Sequence, residues 1–123
     1  MNESQQNKCH AIIHGAATVC AGIAAGLSQV PGSDNVLIVP VQVGMIISLG
    51  AVFGAELTES TANAILASET ATMVGRGISQ VLIGWIPVFG NAVNAATAFA
   101  VTESIGWTVA NSFAAKQPRL AYR

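Results

Sequence analysis

Charged residues are missing from three long stretches of the sequence. Residues 9–33, 35–55 and 77–102 contain no Asp, Glu, Lys or Arg. Each stretch is long enough to cross the hydrocarbon core of a bilayer as a helix, which takes about 20 residues. Charged residues make up 9% of the chain, against about 25% in an ordinary soluble domain. We therefore expect much of the surface to face either other protein chains or lipid.

The length of 123 residues fits one domain, because domains most often contain about 100–150 residues. Hydrophobic residues make up 52% of the chain, which excludes a disordered protein. We expect a single helical domain at 1–115. The basic tail at 116–123 contains Pro118, and we expect it to be frayed.

The charge pattern argues against nucleic acid as a partner. The formal net charge is −1, and the basic residues are too scattered to follow a run of phosphates. The two cysteines, Cys9 and Cys20, would lie about 16 Å apart along one helix, too far for a disulfide. This favours a reduced protein that is cytoplasmic, or associated with the inner membrane and facing the cytoplasm.

The apolar periodicity predicts an all-α fold, a hairpin-type bundle of four helices. The first helix covers about 4–28, and the second begins at 35 or 40 and ends at 54. A third helix covers about 58–85, with Thr58 as its N-cap. The turn signal at 86–91 precedes a fourth helix that continues to about 115.

Small residues recur at the spacing that lets two helix backbones approach closely. The first helix contains Gly22-x-x-x-Gly26, and the second contains Gly50-x-x-x-Gly54. Such pairs are typical of close helix contacts, and we expect them to mediate packing within the bundle and self-association into a homo-oligomer. Gly54 is also the predicted end of the second helix.

His10 and His14 lie four residues apart, which places both imidazoles on one helix face. A closed zinc site needs four ligands, and only a second chain could supply the others. We therefore expect two partly exposed histidines and no metal. The sequence also lacks phosphate-loop, nucleophile-elbow and zinc-protease motifs, so we predict neither an enzyme nor a cofactor.

Several polar residues fall among apolar ones and require partners. Glu103 lies on the apolar stripe of the fourth helix, and if the third and fourth helices form an antiparallel hairpin, Arg76 comes near enough for an ion pair. A functional role for this pair is the alternative. Gln42, Asn91 and Asn94 are candidates for interhelical hydrogen bonds.

Four segments resemble those of a bacterial helical domain. They are Val30-Pro31-Gly32-Ser33-Asp34, Val41-Gln42-Val43-Gly44-Met45-Ile46, Phe53-Gly54 and the run from Ile86 to Ala95. This order is similar to the domain that follows Era-like GTPase domains and occurs in YcjF-type inner-membrane proteins. The resemblance implies an interaction module that is associated with a membrane or coupled to a GTPase. This chain carries no GTPase domain of its own, so the GTPase would be a separate protein.

Together these features predict a non-enzymatic, self-associating module that binds a membrane or a GTPase. A lipid bilayer and a further copy of the chain are the partners expected from composition. Two alternatives stay open. One is a soluble obligate helical oligomer with a structural role, and the other is a small pore-forming or holin-like protein.

Overall fold

The computed structural model describes residues 1–27, 33–75 and 90–121, and within them the side chains of residues 1–25, 38–73 and 95–116. This part of the chain forms four helices and no strand. The helices are α1 (Glu3–Leu27), α2 (Ser33–Val52), α3 (Glu59–Gly75) and α4 (Gly90–Ala121). The prediction of an all-α bundle is confirmed.

Local hydrogen bonds explain where three helix ends fall. Asn2 and Gln5 cap α1 reciprocally, each side chain accepting the other's backbone N–H, at 2.8 and 3.1 Å. The Thr58 hydroxyl accepts the Thr61 N–H at 3.1 Å and caps α3, as predicted. At the end of α2, Gly54 has φ +78° and Ala55 N–H donates to the Gly50 carbonyl at 2.8 Å. This is a Schellman motif, which favours glycine at the left-handed position.

The observed bounds differ from the predicted ones in two helices. α2 already begins at Ser33, so Pro40 lies inside it, where it removes one backbone hydrogen bond. α4 continues through Pro118 to Ala121, whereas the sequence predicted an end near 115 and a frayed tail. α3 is described as far as Gly75, and the predicted remainder to residue 85 lies outside the described residues.

Neighbouring helices run antiparallel. His10 of α1 packs on Trp107 of α4, while His14 contacts Glu103, so residue numbers rise along one helix as they fall along the other. The short turn at 53–58 reverses the chain between α2 and α3. α1 packs most extensively on α4 and α2, whereas α3 packs mainly on α2 and makes few contacts with α4.

The buried side chains form two clusters at different levels of the bundle. The larger, here called the main core, draws on all four helices and is rich in large side chains: Cys9, Ile13, Val43, Met45, Ile46, Leu49, Phe53, Ala62, Leu66, Ile105, Val109 and Ala110. The smaller, here called the small core, consists of Cys20, Ala24, Ile38 and Ala98. The small core therefore contains one large aliphatic side chain among compact ones.

Charge is distributed unequally between the two ends of the bundle. One end, here called the charged end, comprises the start of α1, the end of α2, the start of α3 and the end of α4; it bears Glu3, Lys8, Glu56, Glu59, Lys116 and Arg119. The other, here called the apolar end, comprises the end of α1, the start of α2, the end of α3 and the start of α4. Of the remaining charged residues in the described helices, Asp34 lies at this end, and Glu69 and Glu103 lie between the two ends. The main core extends to the charged end, and the small core lies at the apolar end.

Candidate functional site

A polar cluster joins α1 to α4 at mid-height of the bundle. Glu103 accepts a hydrogen bond from His14 Nδ1 through Oε1 and a second from Trp107 Nε1 through Oε2, at 3.1 Å. The Glu103 side chain is 16% exposed, while that of His14 is 54% exposed. The carboxylate is thus held from two sides, and the imidazole it contacts remains open to the surroundings.

His10 completes this cluster, which we call the His–Glu cluster (His10, His14, Glu103 and Trp107). Its Nδ1 lies 3.3 Å from His14 Nε2, and its ring meets the Trp107 ring edge-on with centroids 4.6 Å apart. On the other side, the His14 ring stacks on Phe99 at 6.3 Å. The aromatic contacts fix the orientation of both imidazoles.

The sequence analysis identified Glu103 but assigned it a different partner. The described partners of Glu103 are His14 and Trp107, whereas Arg76, the predicted partner, lies outside the described residues. His14 was missed because it is 89 positions away along the chain. Only knowledge that α1 packs against α4 would have brought the two residues together.

A second polar contact lies in the interior between α2 and α4. The Gln42 amide donates to Thr102 Oγ1 at 3.0 Å, and both side chains are buried. Gln42 thus forms an interhelical hydrogen bond, as the sequence predicted. The side chains of Asn91 and Asn94 lie outside the described ones.

Both cysteines are free and buried. Burial raises the pKa of the Cys9 thiol. Burial also raises the pKa of the Cys20 thiol, against the opposing effect of a hydrogen bond with Thr102. Neutral thiols are poor nucleophiles, so the structure gives these residues a packing role.

The glycines divide into close contacts and open positions. A Cβ at Gly50 would come within 2.9 Å of Leu57, in the turn that follows α2, whereas nothing lies within 4 Å of one at Gly22 or Gly54. The surroundings of Gly26 are outside the described side chains. Among the described glycines, Gly106 makes the closest contact with another helix, since a Cβ there would lie 2.8 Å from Ile13. The sequence analysis did not select Gly106, because it has no glycine four residues away.

Large apolar side chains are exposed on the half of the bundle that includes the apolar end. Val19 is 50% exposed, Val39 is 39% exposed and Phe99 is 36% exposed. Residues Glu3–Ala25 of α1 are long and apolar enough to cross a membrane, with a mean hydropathy of 1.2, and 28% of the apolar window is buried. By length and composition, α1 is therefore a candidate membrane span, and most of the residues in its apolar window are not buried inside the bundle.

An open groove of about 630 Å³ lies between α2, α3 and α4, also towards the apolar end. Its lining is mainly apolar and includes Ile38, Val39, Leu66, Val101 and Ile105. Within the described residues, no group of three or more His, Cys, Asp or Glu side chains could hold a metal ion between them, and none of these residue types lines the groove. The groove thus offers an apolar surface rather than a constellation of reactive groups.

No family model, curated protein or solved structure matches this chain. The resemblance to the YcjF-type domain therefore stays a prediction from the sequence.

Proposed function

We propose that this chain is a non-enzymatic, self-associating helical module that binds a bilayer by embedding the apolar end of its bundle. The observation that supports the proposal is the segregation of charge. Six charged residues lie at one end, Glu69 and Glu103 lie at mid-height, and Asp34 is the charged residue of the described helices at the other end. Water solvates the charged end, and lipid accepts a surface with few ionised groups.

The exposed apolar side chains support the same orientation. Val19, Val39 and Phe99 are among the few large hydrophobic residues exposed in the described part of the chain, and all three lie away from the charged end. A surface of this kind loses little free energy on entering hydrocarbon, because few charges have to be desolvated.

Self-association has a separate basis in α1. Ala11, Gly15, Thr18 and Gly22 are exposed along this helix, and a Cβ at Gly15 or Gly22 would meet nothing within 4 Å. A second copy could therefore bring its backbone close to this face. A separate GTPase is a further partner under this proposal, and it rests on the sequence resemblance.

The test adds two lysines at either end of the bundle and measures binding to neutral phosphatidylcholine vesicles by flotation. The variant Val19→Lys with Val39→Lys places charge on the proposed lipid-facing surface. The matched control is Ala64→Lys with Asn111→Lys, at two exposed positions nearer the charged end. Neutral lipid removes any attraction between the added lysines and the vesicle surface.

We expect the Val19/Val39 variant to lose roughly tenfold or more of its vesicle binding, because a lysine at the centre of a membrane helix costs about 3 kcal/mol. The Ala64/Asn111 control should bind like the wild type. Equal binding by the two variants, or a wild type that does not float with vesicles, would contradict the proposal.

Two further measurements separate the alternatives. A monodisperse oligomer in detergent-free buffer, seen by light scattering and left unchanged by detergent, would favour a soluble obligate oligomer. Release of a dye trapped inside vesicles would favour a pore-forming protein. The proposal expects vesicle binding without dye release.

A further inference from the structure

The geometry of the His–Glu cluster points to a metal site. We propose that His10 and His14 together bind a divalent transition-metal ion, for which Zn²⁺ is the best match, and that Glu103 is a positioning residue that orients His14. This inference is independent of membrane binding, since it rests on the contacts between α1 and α4.

The first step is the tautomer of His14. An ionised carboxylate only accepts hydrogen bonds, so the contact between Glu103 Oε1 and His14 Nδ1 places the imidazole proton on Nδ1. The lone pair of His14 is then on Nε2. Trp107 Nε1 donates to the other oxygen of Glu103 and keeps the carboxylate in place. A histidine ligand held by a carboxylate through its other nitrogen is a recurrent arrangement around zinc.

The second step is the distance between the two histidines. His14 Nε2 lies 3.3 Å from His10 Nδ1. Two nitrogen ligands at zinc distances of about 2.0–2.1 Å in a tetrahedral arrangement are separated by about 3.3–3.4 Å. In the metal-free protein this contact is a hydrogen bond, which His10 Nδ1–H donates to the His14 Nε2 lone pair. An ion that binds both nitrogens takes the place of this proton, which moves to Nε2 of His10, and the two atoms already have the spacing of neighbouring ligands.

The third step is access and ligand number. Both histidines are exposed, so an ion reaches them from solution. Glu103 contacts Nδ1 of His14, on the side away from the ion, and within the described residues no three His, Cys, Asp or Glu side chains together form a metal-binding group. The remaining coordination positions therefore belong to water or to a second copy of the chain. Imidazole is a good ligand for zinc, copper and nickel, and a poor one for magnesium or calcium.

The experiment titrates the untagged, full-length protein with Zn²⁺ in calorimetry, beside a titration with Mg²⁺. We expect Zn²⁺ to bind and Mg²⁺ to give no heat. His10→Ala and His14→Ala should each abolish measurable binding. Both positions are exposed, and alanine favours helix, so these variants should fold, as circular dichroism can verify. A wild type that binds no more Zn²⁺ than the two variants would overturn the proposal.

The positioning role of Glu103 needs its own measurement. Glu103→Gln should weaken Zn²⁺ binding by about 10- to 100-fold, the usual effect of losing an outer partner of a ligand, whereas Glu59→Gln should leave it unchanged. Nuclear magnetic resonance of the imidazole nitrogens should show the Nδ1–H tautomer of His14 in the metal-free wild type. The Nε2–H tautomer, or Glu103→Gln binding as tightly as wild type, would remove Glu103 from the site.

Trp107 provides an optical check. In a Trp85→Phe background it is the one remaining tryptophan of two, and its ring contacts His10. We expect Zn²⁺ to change its fluorescence with the affinity that calorimetry gives. A fluorescence change that persists in the variant lacking both histidines would overturn the assignment of the site to His10 and His14.

Discussion

The two ends of this bundle differ in the size of their buried cores and in the exposure of their apolar side chains. The charged end has the main core, with Ile46, Leu49 and Phe53 packed among side chains from all four helices, and hydrogen-bonded caps at its helix ends. The apolar end has the small core, in which Ile38 packs among Cys20, Ala24 and Ala98. The small core buries much less apolar area, while apolar side chains around it stay exposed.

This contrast shows where the stability of the fold resides. Free energy gained by removing apolar surface from water scales with the area buried, so the charged end should contribute most of it. The apolar end instead leaves apolar surface exposed, which under the proposed function contacts lipid. Four expectations are arranged below from the largest effect to the smallest, and a fifth, on pH, follows from the last of them.

The largest effect should come from shortening a side chain of the main core. Ile46 is fully buried, and Ile46→Ala should cost about 3–5 kcal/mol of unfolding free energy in urea titrations, from lost burial and the cavity left behind. Ile38→Ala in the small core should cost nearer 2 kcal/mol, because fewer large neighbours surround it. Equal costs would remove the distinction between the two cores.

The next effect concerns the closest approach of α1 and α4. Gly106→Ala would place a Cβ 2.8 Å from Cγ1 and 2.9 Å from Cγ2 of the buried Ile13, atoms that cannot move without shifting the helix. We expect a loss of about 1–3 kcal/mol. Gly22→Ala is the control, since nothing lies within 4 Å of its Cβ, and it should raise stability by up to about 1 kcal/mol. If Gly106→Ala also raised the thermal midpoint, the two helices would not pack this closely.

A smaller effect should follow at the turn after α2. Gly54→Ala forces a side chain into the left-handed region, at φ +78°, and should cost about 1–2 kcal/mol. Gly44→Ala, inside α2 with nothing within 4 Å of its Cβ, should be neutral or stabilising. The comparison is made by urea unfolding, and a Gly54→Ala variant as stable as the wild type would show that the cap contributes little.

The smallest effect is a difference in cysteine reactivity between the two cores. Because burial raises the pKa of both thiols, alkylation of the folded protein should be slow at neutral pH. Cys20 should react several times faster than Cys9 if the small core opens more readily. Mass spectrometry of the Cys9→Ala and Cys20→Ala variants gives the two rates, and faster reaction at Cys9 would contradict the contrast.

The same thiols predict a pH effect on stability. A raised pKa means that the folded state favours the neutral thiol. The stability that the buried neutral thiols contribute is therefore complete at neutral pH, and it is lost as the pH rises above the ordinary cysteine pKa of about 8.5. Urea unfolding at rising pH should show this loss, and replacing both cysteines with alanine should reduce it.

Local signals in the sequence were sufficient to predict the helices and two of their caps. The apolar periodicity predicted α1, on which Cys9, Ile13 and Cys20 are fully buried. Thr58 and Gly54 were recognised because capping depends on nearby backbone groups. Pro118 misled the prediction at the other end of the chain, since proline usually disfavours helix interiors but α4 continues past it.

The candidate site could be predicted only in part from the sequence, because it depends on which helices pair and in what register. His10 and His14 could be placed on one face, and Glu103 could be identified as a carboxylate among apolar residues. These residues come into contact only because α1 and α4 lie side by side. The close contact between Gly106 and Ile13 belongs to this packing, and no repeated sequence motif marks it. The separation of charge between the two ends also emerges only after the chain has been folded back on itself.

The alternating direction of the helices has a practical consequence for any attachment to this chain. α1 starts and α4 finishes at the same end, so fluorescent reporters fused to either terminus would emerge side by side. If the opposite pole is immersed in lipid, both reporters would share one aqueous compartment and respond alike to an impermeant quencher added outside sealed vesicles.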